Sequence, residues 1–178
     1  GMRARTQAPL FRDPKQILLD LSEERSLPRL LDLIAQRLAA TPRVALARIW
    51  LVRPGDICST CVFQAECPER SNCLHLVASA GSSTVEATRT WTRTDGAFRR
   101  FPIGVRKVGR IAAEGTAFEV RSGIADSDWI VNSEWARAEG LDGFAGQPLI
   151  HHGEVLGVLA VFSRGPIDDG CLDWLRMI

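Results

Sequence analysis

Apolar and polar positions divide the chain into helices and strands before any motif is considered. Leu27, Leu30, Leu31, Ile34 and Leu38 recur at i, i+3, i+4, i+7 and i+11, with Asp32, Gln36 and Arg37 off that stripe. The spacing predicts an amphipathic helix opened by Ser26 and Pro28 and ended by Thr41-Pro42. A shorter helix before it is capped by Asp13 with Pro14 in its first turn, and carries Ile17, Leu18 and Leu21. Val44 to Val52 reads as a strand. Ala45, Ala47, Ile49 and Leu51 share one face; Val44, Leu46, Arg48 and Trp50 share the other. Leu74 to Ala80 is a second strand, stopped by Gly81-Ser82-Ser83. In the less regular stretch 84–100, Thr88, Thr90, Thr92 and Thr94 alternate with Arg89, Trp91 and Arg93 as a short strand. Phe101-Pro102-Ile103 suits a sheet edge, because proline cannot donate to a central ladder.

Val108 to Glu114 is expected as a helix closed by Gly115, Ala117 to Val120 as a strand, and Ser133 to Ala138 as a helix ended by Gly140. Phe144 to His151 and Glu154 to Ser163 form a hairpin around His152-Gly153. Val155 to Phe162 is apolar on both faces, so this strand must be covered on both sides. Asp168-Asp169 begin a last helix with Leu172, Leu175 and Ile178, and its end within the pattern implies more protein beyond. The sum is an α+β fold, a central antiparallel sheet of about six strands with helices on both faces.

Composition narrows the class without deciding it. The 178 residues suit one domain that buries roughly 70% of its unfolded surface. We divide the chain into a basic tail over 1–13 (Arg3, Arg5, Arg12) and a single domain over 14–178. A net charge of +1 leaves no broad basic footprint, so no direct contact with nucleic acid is expected. No apolar run is long enough for a signal peptide or a membrane span. A cytoplasmic, reducing setting follows. Arg89, Arg93, Arg99 and Arg100 form a local basic cluster, read as a solvated face or as the rim of an anion site.

The candidate chemistry lies in residues 53–73, an insertion between the first two strands. Cys58, Cys61, Cys67 and Cys73 are spaced C-x2-C-x5-C-x5-C. Ordering such a loop costs roughly 1–2 kcal/mol per residue of backbone, and Ile57, Val62 and Phe63 are its chief apolar groups. Structural zinc contributes about 10–16 kcal/mol, a disulfide about 2–4 kcal/mol. In a reducing compartment clustered cysteines favour metal or redox chemistry. The four thiolates suit zinc, or an iron–sulfur cluster as the alternative; thiols without metal, or oxidised pairs, are the plain reading. His75 alternates with Leu74 and Leu76 and belongs to a strand face rather than to a ligand set. His151 and His152 sit at a hairpin tip, and Cys171 reads as a small packed side chain. Gly104 to Gly109 lacks the Gly-Lys-Ser/Thr ending of a phosphate loop.

Two stretches carry a family likeness. They are Phe101-Pro-Ile-Gly followed by Val108-Gly-Arg-Ile-Ala-Ala-Glu-Gly115, and Gly146-Gln-Pro-Leu-Ile-His-His-Gly-Glu-Val-Leu-Gly-Val-Leu-Ala-Val-Phe162. Both resemble GAF domains, over roughly Leu27 to the end, although the first lacks one expected glycine at Arg106 or Lys107. With its cysteine insertion the chain resembles the amino-terminal sensors of bacterial enhancer-binding (sigma-54-dependent) transcription regulators. The resemblance implies a ligand pocket between the sheet and the irregular segments, whose expected lining includes Trp91, Arg110, Trp129 and Trp135. It implies a non-catalytic sensor that binds a small effector, dimerises through helices and passes its signal to a C-terminal output domain. The cyclic-nucleotide signature of the family is absent from the sequence.

Two other functions compete. Free methionine-(R)-sulfoxide reductases share the fold, but their reactive cysteine lies where this chain has Val108-Gly109-Arg110. A zinc-stabilised protein-interaction module would use the cysteines only structurally. The 27–38 stripe is read either as core packing or as a dimer-forming, signal-carrying helix.

Overall fold

The computed structural model describes residues 27–68, 71–127, 130 and 132–169. The helix expected at 14–21, Trp129, Cys171 and the body of the final helix lie outside the described residues. The first described helix, α1 (Leu27–Ala39), buries Leu31, Ile34, Ala35 and Leu38. That stripe packs on the sheet with Ala47, Ile49, Leu159 and Val161. Most of its apolar face is therefore spent on the core, with Leu27 and Leu30 partly buried at its edge.

The strands are β1 (Val44–Pro54), β2 (Asn72–Gly81), β3 (Arg100–Pro102), β4 (Phe118–Val120), β5 (Leu141–His151) and β6 (Glu154–Arg164). They form one six-stranded sheet in the order β3-β2-β1-β6-β5-β4, and each pairing is antiparallel. Pro102 sits in an edge strand, as its missing donor requires. β6 is central, and Val158, Leu159, Ala160 and Val161 are all buried. Leu159 and Val161 meet α1; Val158 and Ala160 meet the opposite core, which contains Ile111 and Phe144.

That second layer holds α2 (Arg106–Glu114), a 3-10 turn (Ile124–Asp126) and α3 (Ser133–Ala138). Helices thus cover both faces. α2 begins two residues before the expected Val108 and ends at Gly115, whose φ of 66° suits glycine. A Cβ at Gly109 would lie 2.2 Å from the Pro102 carbonyl oxygen. This close approach seats α2 directly on β3. Asn132 caps α3, its side chain accepting from the Trp135 N–H at 3.0 Å.

Three expectations change. Residues 84–99 form no ladder; the stretch makes a single bridge, Ser82 to Thr90, before Arg100 enters β3. Ala45 joins the α2-side core rather than the face of Ala47 and Ile49, because the β1–β6 register shifts between Val44 and Leu46. The β1–β2 ladder reaches Pro54 and Asn72, so the connecting loop spans 55–71 and Cys73 belongs to β2.

The irregular segment is held by Glu139. This buried carboxylate accepts from Ser83 Oγ, from the Thr84 N–H at 2.9 Å and from Arg164 at 3.2 Å. Arg164 also donates to the Ser82 carbonyl at 2.9 Å. Burial pushes the Glu139 carboxyl up, but these donors outweigh it and hold it below the usual range.

Candidate functional site

Two cavities share the α2 side of the molecule. The smaller, about 30 Å³, is lined by Cys58, Cys61, Cys67 and Cys73 together with Asp56 and Arg100. The cysteine loop is wound in tight turns: Thr60 N–H donates to the Ile57 carbonyl, Gln64 N–H to the Cys61 carbonyl, and the Glu66 and Cys67 N–H groups to the Phe63 carbonyl. These turns bring Cys58, Cys61 and Cys67 round to the Cys73 of β2. All four are thiols rather than disulfides, and each is half-buried. Burial pushes the Cys73 thiol up to about 11.

The donor set fits a soft, four-coordinate metal in number and type. The geometry is not preassembled. Among the described residues, no group of three or more His, Cys, Asp or Glu side chains is arranged to hold a metal ion. Ligation would require the loop turns to draw the sulfurs inward. His75 stays out of the set: its Nε2–H donates to the Pro54 carbonyl at 2.9 Å, and burial lowers its pKa.

The loop also has protein anchors of its own. Phe63 is 3% exposed and packs on Phe101 with ring centroids 5.0 Å apart. Val62, expected to help, is 59% exposed. Arg100 grips Asp56 through two bonds of 2.9 and 2.8 Å, which with their charge hold the Asp56 carboxyl down to about 2. Arg106 reaches Glu66 at 3.0 Å. Of the three apolar groups the sequence offered, Phe63 is the buried anchor, and the two ion pairs are what the sequence reading missed.

The larger cavity, about 400 Å³, lies between the sheet, α2, α3 and the irregular segment. Its walls are aromatic. Trp91 and Trp135, both expected there, meet edge to face at 5.5 Å. Trp50, Phe63, Phe98 and Phe101 also line it. Arg110 does not; it faces solvent and pairs with Glu114 at 3.7 Å. One turn earlier on the same helix, Arg106 and Lys107 line the cavity instead. A third cation, Arg48, enters from β1. A charge at the centre of an apolar strand, on the Trp50 face, was the available sign of it.

Arg48 is held by Ser79. Its Nε–H donates to Ser79 Oγ at 3.1 Å, and that hydroxyl donates to the Trp91 carbonyl at 2.6 Å. Burial lowers the Arg48 pKa. No cysteine and no carboxylate lines this cavity among the described residues.

A curled antiparallel sheet, helices on both faces and an internal cavity on one of them define an α+β module with a pocket. The GAF domain family profile matches residues 24–178, and the chain belongs to that family. Similar solved structures include the GAF domain of a phosphoenolpyruvate-protein phosphotransferase from Coxiella burnetii. It has a TM-score of 0.58 and 15% identity, over 97% of this chain and 88% of that one. The free methionine-R-sulfoxide reductase of Neisseria meningitidis, in complex with its substrate, has a TM-score of 0.56 and 20% identity, over 96% and 85%. The A. aeolicus nlh2 GAF domain in an inactive state has a TM-score of 0.57 and 14% identity, over 91% and 83%. At these identities the likeness is one of fold. No curated protein sequence matches the chain. Among the described residues no helix is long and apolar enough to cross a membrane.

Proposed function

We propose that this GAF domain is a non-catalytic regulatory sensor, in which a small effector binds the aromatic cavity and a metal, zinc before iron–sulfur, orders the cysteine loop. The observation that carries it is the separation of the two sites. The cavity of about 400 Å³ is large enough for a small organic molecule and contains no thiol among its described walls. Described walls with no thiol, histidine or carboxylate suit recognition rather than turnover. The resemblance of the cysteine insertion favours the sensor of a bacterial enhancer-binding regulator acting on an attached output domain in the cytoplasm.

Solved reductases of the same fold support a second reading, free methionine-(R)-sulfoxide reduction. Against it, the described thiols line the smaller cavity, not the one that would hold a substrate. The deciding experiment combines metal and sulfide analysis of anaerobically purified protein with a turnover assay on methionine sulfoxide and a thiol reductant. About one colourless zinc per chain and no turnover fit the proposal. Substrate-dependent oxidation of the reductant would replace it by the reductase. An absence of metal would remove the cysteine part while leaving the pocket. A zinc-stabilised interaction module would show zinc but no small molecule that raises the melting temperature.

A further inference from the structure

Aromatic walls alone do not define a ligand. Rings of tryptophan and phenylalanine bind flat apolar groups, and they equally bind cations through the ring quadrupole. The charged groups decide between these. Arg48, Arg106 and Lys107 line the cavity, and no Asp or Glu does among the described residues. Arg106 is already paired with Glu66 at the rim. Lys107 Nζ lies 4.7 Å from the centre of the Phe118 ring, and it has no acid partner among the described residues. Arg48 is half-buried; Ser79 takes its Nε–H, and among the described residues no acid and no acceptor meets its terminal N–H groups.

An uncompensated guanidinium drawn out of water is unfavourable, and an anion of matching shape removes that cost. Arginine offers a planar fork that matches a carboxylate with two parallel bonds. The amino end of α2 adds to the positive potential. Val105 precedes it with no side-chain cap, and its first turn holds no acid. Among the described residues, a cationic ligand would meet these charges with no acid to neutralise its own, and a purine would find no carboxylate to accept from its amino group. A neutral aromatic would fill the walls and leave Arg48 unpaired.

We infer that the effector is a flat, apolar, preferably aromatic carboxylate whose anionic head is held by Arg48 and whose body lies against Trp91 and Trp135. This rests on the sensor reading above and adds the chemical class of the ligand. Trp91 takes part twice, since its carbonyl orients Ser79, which orients Arg48. Occupation of the wall and engagement of the arginine are thereby linked.

The test is calorimetric titration of the whole protein with phenylacetate and 3-phenylpropionate, their neutral amides, and phenethylamine. The acids should bind at least ten-fold more tightly than the amides, and the amine should not bind. Arg48→Gln should bring the acids to the affinity of the amides and leave the amides unchanged. Arg110→Gln, on the solvent side of α2, should alter neither. Amides that bind wild-type protein as tightly as the acids would overturn the carboxylate assignment while the pocket stands. An amine that binds best would overturn it in favour of a cation cage. No binding by any of the compounds, with the protein folded, would take away both this inference and the pocket it rests on. The acid-to-amide ratio is read on wild-type protein, so a misfolded Arg48→Gln variant does not shield the inference.

Discussion

The thiol cavity and the aromatic cavity are built in opposite ways. The first, about 30 Å³, draws its cysteines from one short loop and the strand that follows it. The second, about 400 Å³, gathers walls from Leu46 to Phe162. Strand β3 divides them. Arg100 and Pro102 line the thiol cavity, whereas Phe101 lines the aromatic one, the alternation that a strand imposes. Phe63 crosses the same divide: it leaves the cysteine loop and becomes part of the aromatic wall. The comparison shows that a site compact in sequence and a site scattered through it can be mechanically joined by one side chain and one edge strand. A change in the cysteine loop has a direct route to the aromatic cavity.

The strongest way to break this comparison is Phe63→Ala. Removing a buried phenylalanine costs about 3–5 kcal/mol, and chemical denaturation should record it. Binding of aromatic acids should weaken in the same variant. A loss below about 1 kcal/mol, with pocket affinity intact, would mean the two cavities are independent.

Glu139→Gln tests the other support of the pocket, the tie between the irregular segment and β6. Loss of charge-assisted bonds at a buried carboxylate should cost about 2 kcal/mol at neutral pH. The sign with pH follows from the depressed carboxyl. Its stabilisation is complete above the ordinary carboxylate pKa and is lost as pH falls through the lower, folded value. Urea unfolding from pH 7 to pH 3 should therefore slope more steeply in wild-type protein than in the variant. Equal slopes would show that Glu139 does not contribute through its charge.

Cys61→Ser sharpens the comparison from the other side. Bound metal should fall from about one ion per chain toward none, with a smaller loss of global stability than Phe63→Ala, because the aromatic anchor stays. Unchanged metal content and melting temperature would refute a metal at the loop. The smallest effect is expected of Arg106→Ala. Its ion pair with Glu66 is about half exposed, and such pairs contribute roughly 0.2–1 kcal/mol. The cost should shrink further in salt; a larger, salt-independent loss would place the weight on its stacking over Phe63 instead.

Periodicity alone carried most of the fold. The α1 stripe, β1, β2, the α3 segment and the β5–β6 hairpin all follow from the spacing of apolar residues along a few turns or pleats, and all are present. The misreadings lie where spacing is not the controlling term. The threonine alternation of 84–99 has the period of a strand, yet the segment has no neighbour to complete a ladder and is fastened by Glu139 instead. Ala45 changes face because a register shift is a property of two paired strands. Arg110 and Lys107 are both on α2, and which one reaches the cavity depends on how that helix sits on Pro102.

The sequence by itself determined the elements, the two-sided covering of β6 and the cluster of cysteines, since each depends on residues close together along the chain. Only the tertiary structure decided that the cysteine loop is anchored by Phe63, and that Arg48, Lys107, Trp91 and Trp135 surround one space. Those residues are separated by up to 87 positions from Arg48 to Trp135 (135 − 48). Their meeting depends on strand order, helix seating and burial acting together, and no local pattern encodes such a meeting.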